Sequence, residues 1–155
     1  MNKVSGIRDQ IIQELPLWDQ PSISVGIVKD GKVVLAEGFG YADVEKNEKA
    51  NQETMYQIGS CSKAFTAAAV ALLVDQGKLQ WDRPVQDYMP WLEFKDPFTT
   101  AHVTVRDLLC HRTGLPRHDA YWINGPWTRR EMAENLRNME PAWSFRSHWC
   151  YQNTC

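Results

Sequence analysis

The sequence predicts a chain of mixed α/β (α+β) class on three observations. Apolar residues recur at helical spacing through the first fifteen positions, an Asp30-Gly31 pair separates two extended runs, and from Ser60 onward nearly every position is apolar for the length of a helix. In the first run Val4, Ile7, Ile11, Ile12 and Leu15 share one helical face, and Pro16 ends it. Ser22 to Lys29 then alternates, with Ile23, Val25 and Ile27 on one side, and Lys32 to Phe39 resumes an extended pattern. Asp-Gly between two such runs is a strong hairpin signal, because both positions of the tight turn need positive φ. Residues 40 to 53 turn polar, with Asp43, Glu45, Lys46, Asn47, Glu48 and Lys49, and read as a solvated connection.

Ala64, Phe65, Ala67, Ala68, Ala69, Val70, Ala71, Leu72, Leu73 and Val74 leave almost no polar face. A helix apolar all round is expected to be packed on several sides, and Gly77 fits its C-terminal stop. Beyond Trp81 the chain carries Pro84, Pro90, Pro97, Pro116, Pro126 and Pro141, with two short helical candidates, Val105 to Cys110 and Thr128 to Met139. Six tryptophans, at 81, 91, 122, 127, 143 and 149, lie in this loop-rich half. They either line a cleft or anchor irregular chain, and packing is the better expectation.

A length of 155 residues suits one domain, able to bury roughly 70% of its unfolded surface. The apolar stretch Ala67 to Val74 is far short of the roughly 20 residues of a membrane-spanning helix. Lys3, Arg8, Asp9, Gln10 and Glu14 interrupt the start, so there is no apolar core of a secretory signal, and the chain as given reads as cytoplasmic. Seventeen basic against nineteen acidic residues argue against nucleic acid as a partner, since phosphate neutralisation needs clustered Lys and Arg. Cys61, Cys110, Cys150 and Cys155 are then expected as free thiols.

Gly59-Ser60-Cys61-Ser62-Lys63 opens the apolar helix. Ser60 and Lys63 are three apart, one turn along the same face, so the amine can reach the hydroxyl. A serine hydroxyl is a weak nucleophile until a base takes its proton, and a lysine becomes that base when burial and the positive helix end penalise its ammonium form. The same helix start aims backbone N–H groups at an oxyanion. The competing reading makes Ser60 a helix cap and Lys63 a snorkelling surface residue. Near the end, Tyr151-Gln152-Asn153 supplies a phenol that a cationic lysine can draw toward phenolate, and an amide that both donates and accepts. Each pattern alone is a weak signal in a chain of this composition.

Together, Ser60-x-x-Lys63 opening an apolar helix and Tyr151-x-Asn153 about ninety residues on resemble the serine β-lactamase and penicillin-binding-protein superfamily. The Tyr-x-Asn form resembles class C β-lactamases and their D,D-peptidase and esterase relatives. Gln57-Ile58-Gly59-Ser60, Leu79 to Pro90 and the run from Val103 to Leu115 resemble stretches common there, so the likeness covers nearly the whole chain.

The resemblance implies a serine hydrolase that forms an acyl-enzyme with a small-molecule or peptide substrate: a β-lactam, a D-alanyl peptide or a carboxylic ester. Ser60 would be the acylated nucleophile, Lys63 its proton acceptor, Tyr151 the proton relay and Asn153 a ligand of the substrate amide. No cofactor or metal is implied. The resemblance also implies a β-lactamase/transpeptidase-like fold, an antiparallel sheet with a helical lobe, here lacking the C-terminal strands and the family's third box, Lys-Thr-Gly or His-x-Gly. The expected organisation is a partial domain over 1–155, with helix and hairpin in 1–45 and helical lobe in 46–155. The alternative function is a catalytically inactive truncated remnant or interaction fragment.

Cys110, His111, His148, Cys150 and Cys155 could make a zinc module, a weaker alternative because the spacing fits no closed structural site. Cys110 and His111 are adjacent and poorly placed as a nucleophile and base pair. Cys61 is expected as a small packed thiol, and Arg117, His118 and Asp119 as a solvated loop rather than a cleft border.

Overall fold

The computed structural model describes residues 3–123 and 125–154. The chain divides into two compact units, Met1–Gly59 and Ser60–Cys155.

In the first unit α1 spans Lys3–Glu14, and a 3-10 turn over Leu15–Trp18 follows, started by Pro16. Strands β1 (Ser22–Lys29) and β2 (Lys32–Asp43) pair antiparallel, joined by Asp30 and Gly31 at φ of 51° and 71°. That is the two-residue turn the sequence calls for. The register places Ile23, Val25 and Ile27 opposite Phe39, Glu37 and Leu35, so these six residues share a face. Leu35 and Phe39 are buried on it, and Arg8 of α1 holds Glu37 through two hydrogen bonds of 2.6 and 2.7 Å.

The hairpin acquires a third strand. β3 (Glu48–Lys49) pairs antiparallel with the end of β2, giving the order β1-β2-β3. The polar run expected to be a solvated connection therefore folds back. Asp43 caps the turn by accepting from the Lys46 backbone and ammonium, and the Lys49 ammonium sits 3.6 Å from the Tyr41 ring centroid. An edge strand keeps its charged side chains in water, which is why its sequence looks like loop.

The second unit opens with a 3-10 turn over Gly59–Cys61 and then α2 (Ser62–Asp75). The helix ends as Gly77 predicts: Gly77 N–H donates to Val74 O at 2.9 Å and Lys78 N–H to Leu73 O at 2.9 Å, the paired bonds of a Schellman motif. Its packing corrects the expectation. No residue of α2 is buried; Lys63, Ala67, Val70, Ala71 and Val74 form a half-buried stripe, while Phe65, Ala68, Leu72 and Leu73 face outward. A stripe of that spacing is one helical face, and the elements of this unit cover only that face.

Short elements build the core instead. They are α3 (Pro97–His102), α4 (Val105–Leu109), α5 (Asp119–Trp122) and α6 (Arg129–Glu134), with 3-10 turns at Val85–Asp87 and Asn135–Asn138. Asp96 caps α3 ahead of Pro97, and Thr104 and Thr128 form capping boxes with Asp107 and Glu131. The expected helix over 128–139 is thus α6 continued by a 3-10 turn. Val85, Leu92, Phe94, Val103, Leu115, Leu136 and Met139 make the buried cluster. Trp91 packs on it with the Arg130 guanidinium 3.3 Å from its ring centroid, as an anchor.

Asp107 fastens this core. Its fully buried carboxylate accepts from Thr104, from Arg112 at 2.9 Å, and from Arg146 at 3.0 and 2.7 Å. Burial alone would raise its pKa, but the hydrogen bonds of Arg146 and Thr104 outweigh that and hold it at about 2. Gly114 is required by a close approach. A Cβ there would lie 2.3 Å from the Trp143 carbonyl oxygen, and the Gly114 carbonyl accepts from Ala142 and Trp143.

Candidate functional site

Ser60 lies in the 3-10 turn that leads into α2, and Lys63 one turn later on the half-buried stripe. The ammonium of Lys63 donates to Ser60 Oγ at 3.2 Å and to Asn153 Oδ1 at 2.6 Å. Ser60 Oγ shares a hydrogen bond with the Tyr151 hydroxyl. The four residues singled out in the sequence thus form one chain of contacts, Tyr151 to Ser60 to Lys63 to Asn153, across ninety residues of sequence.

Alternation along the terminal segment delivers two of them. Tyr151 and Asn153 reach Ser60 and Lys63, while Gln152 between them is fully buried and donates to Thr113 Oγ1 at 2.6 Å. Thr154 in turn donates to Gln152. Cys150 N–H donates to the His111 carbonyl at 3.1 Å, so the segment is tied to the chain on either side of Tyr151.

The electrostatics centre on Tyr151. Hydrogen bonding to Lys63, then to Ser60, holds its phenol below the ordinary tyrosine range, with Arg117 adding its charge from 5.3 Å off the ring centroid. Lys63 itself lies 4.9 Å from that centroid. A phenol whose ionisation is eased in this way can, as phenolate, take the proton of the hydroxyl bonded to it, and an adjacent ammonium stabilises that phenolate.

Two residues border this group that sequence reasoning placed elsewhere. Arg117, expected in a solvated loop, pairs with Asp119 at 2.5 Å and also reaches the Tyr151 ring. The His111 ring lies 4.7 Å from that of Tyr151 and 6.3 Å from Trp149. No periodicity marks either residue, because long-range folding brings them there.

A cleft of about 560 Å³ runs under α2, lined by Ala67, Val70, Met89 and Leu108, with Lys63 and His111 among its walls. A second hollow of about 580 Å³, lined by residues such as Asp96, Phe98 and Trp143, holds none of the site residues.

Cys61, expected to be packed, is exposed, as is Cys110; both are free thiols, as is Cys150. The thiol of Cys155 lies outside the described residues. Among the described residues no three His, Cys, Asp or Glu side chains converge as metal ligands, and His148 stacks on Trp143 at 4.3 Å. Nor, among those residues, is any helix long and apolar enough to cross a membrane.

Three of the proteins that share this sequence or fold show the range of the likeness. The unguisins hydrolase ungD′ of Aspergillus campestris is 33% identical, matching 91% of this chain and 28% of its own length. The octameric penicillin-binding protein homologue from Pyrococcus abyssi superposes with a TM-score of 0.84 at 33% identity, covering 98% of this chain and 36% of that one. The D-amino acid amidase from Ochrobactrum anthropi gives a TM-score of 0.79 at 25% identity, covering 99% and 43%. The chain therefore spans between about a quarter and under a half of the relatives it matches. The sequence profile of the Beta-lactamase family matches residues 9–154, nearly all of the chain, and with the fold and relatives above it shows that this chain belongs to the β-lactamase family of serine hydrolases.

Proposed function

We propose that the chain carries the site of a serine hydrolase that works through an acyl-enzyme, with Ser60 as the nucleophile toward an amide or ester carbonyl. The observation that carries the reading is the continuous contact of Tyr151, Ser60, Lys63 and Asn153. As Oγ attacks, its proton passes to the Lys63 and Tyr151 couple. The C–N or C–O bond then breaks, Tyr151 returns the proton to the leaving group, and an ester to Ser60 remains. Water repeats the sequence in reverse to release the acid. The start of α2 supplies backbone N–H groups for the oxyanion, and Asn153 orients Lys63 and a substrate amide. Substrate candidates are a β-lactam, a D-alanyl peptide or a carboxylic ester. An amidase and a penicillin-binding protein homologue among the similar structures support that range.

The test is covalent labelling of the purified chain by a fluorophosphonate or a fluorescent penicillin. The expected result is label at Ser60, lost in Ser60→Ala and rising in rate with pH as the Tyr151 phenol ionises, a rise that Tyr151→Phe removes. Label persisting in Ser60→Ala overturns the assignment.

The outward apolar face of α2 favours a second reading, a catalytically silent chain that acts by binding another. Absence of label from a chain whose near-UV circular dichroism shows fixed packing would select it.

A further inference from the structure

Two helices of the second unit end in the same way. At the end of α4, His111 N–H donates to Leu108 O at 3.3 Å and Arg112 N–H to Asp107 O at 3.1 Å, repeating the paired bonds that Gly77 and Lys78 make after α2. The residue at this position must be left-handed, and glycine is its usual occupant. Gly77 has φ of 69°, whereas His111 holds φ of 57° with a full side chain.

The fold gains little from an imidazole there. The stitch to the terminal segment uses the His111 backbone carbonyl, which any residue provides. Nδ1 is buried without a hydrogen-bond partner in the described chain, an arrangement that disfavours a polar ring. What the side chain does provide is ring contact, edge-on with Trp149 at 6.3 Å and nearer to Tyr151, 4.7 Å away and inclined at 45°. A non-glycine residue kept in a strained backbone position beside reactive groups points to function.

We propose that His111 is a positioning residue, whose ring is the shelf that holds the Tyr151 phenol on Ser60. The inference rests on the reading above, in which Tyr151 exchanges a proton with Ser60. The titratable groups facing the ring are Lys63 from α2 and Tyr151 from the terminal segment, with Tyr88 lining the same cleft. Burial first, and then the Lys63 charge, lower the His111 pKa, so the shelf is neutral near neutral pH and adds no second cation beside Lys63.

The experiment compares His111→Gly and His111→Phe in the full chain by three readouts: thermal melting, the rate of Ser60 labelling, and ultraviolet titration of Tyr151 with Tyr151→Phe as the blank. Glycine suits the backbone and removes the shelf. The expected result is a melting temperature close to the parent's, labelling slowed about ten- to a hundredfold, and Tyr151 titrating nearer its ordinary range. His111→Phe, which keeps a flat ring, should stay within a few fold of the parent rate. Labelling and titration both unchanged in His111→Gly overturn the proposal, as does a His111→Phe variant that falls as far as His111→Gly. If the parent takes no label, the proposed function fails, yet the Tyr151 titration still decides the shelf. Should His111→Gly lose its near-UV signal, His111→Asn, which tolerates the same φ, takes its place.

Discussion

Helix α2 and the segment from Pro84 to Leu115 belong to one unit and bury their apolar side chains very differently. In α2, Phe65 is 70% and Leu72 60% exposed, although the helix is almost entirely apolar. In the second segment, broken by prolines and studded with polar residues, Val85, Leu92, Phe94, Val103 and Leu115 are all buried. Burial here follows from how often the chain turns. Helices α3 and α4 each begin at a cap that satisfies first N–H groups locally, so the backbone can bend around a common centre and direct one or two apolar residues inward. A straight helix of fourteen residues offers a single stripe to that centre.

The contrast is tested most severely at Asp107, where polar groups rather than apolar area fasten the turns. Asp107→Ala removes the acceptor of Thr104, Arg112 and Arg146 together, and should cost about 3 kcal/mol or more. Urea unfolding followed by circular dichroism measures it; a cost below about 1 kcal/mol would mean that the capped turns hold without the carboxylate. Leu115→Ala, in the apolar part of the same region, should cost about 2 to 4 kcal/mol in that assay through the lost burial and the cavity left behind.

Acid probes the same carboxylate without mutation. Its folded pKa of about 2 lies below the unfolded value near 3.9, so its contribution is fully present above pH 4 or so and is lost as pH falls toward 2. The loss across that window should be about 2 kcal/mol. Asp107→Asn should flatten that limb; an unchanged acid profile would place the titration on other carboxylates. Smaller still is the cap of α6, where Thr128→Ala should cost about 1 kcal/mol.

These sites also mark what was legible in the sequence. Asp30-Gly31 located the hairpin and Gly77 the end of α2, because each has a local conformational demand that few residues meet. The spacing of Ser60 and Lys63 put the amine beside the hydroxyl for the same kind of reason. Tyr151 and Asn153 were legible through the family resemblance, since no local rule links them to a helix ninety residues earlier. Asp96-Pro97 carried a helix-start signal that the density of prolines masked. β3, two charged residues on an edge, carries no pattern at all. Arg117 and His111 meet Tyr151 through packing of distant segments, and the left-handed backbone at His111 is visible only in three dimensions.

The smallest expected effect is the sharpest test of the comparison. Phe65 and Leu72 are the most exposed large side chains of α2, and replacing either by Gln removes apolar area that already faces outward. Glutamine keeps good helix propensity, so the backbone is not at issue. If the outward face is unpartnered, each change should leave unfolding free energy within about 0.5 kcal/mol of the parent, while Val70→Gln on the half-buried stripe lowers it by more than 1 kcal/mol or so. Denaturation of the three variants at several protein concentrations separates the cases. A concentration-dependent loss at Phe65 or Leu72 would show that contact between copies covers the face, because only association makes stability depend on concentration. A loss independent of concentration would show that the face is covered within the chain, and α2 would then be buried in the way that its composition predicts.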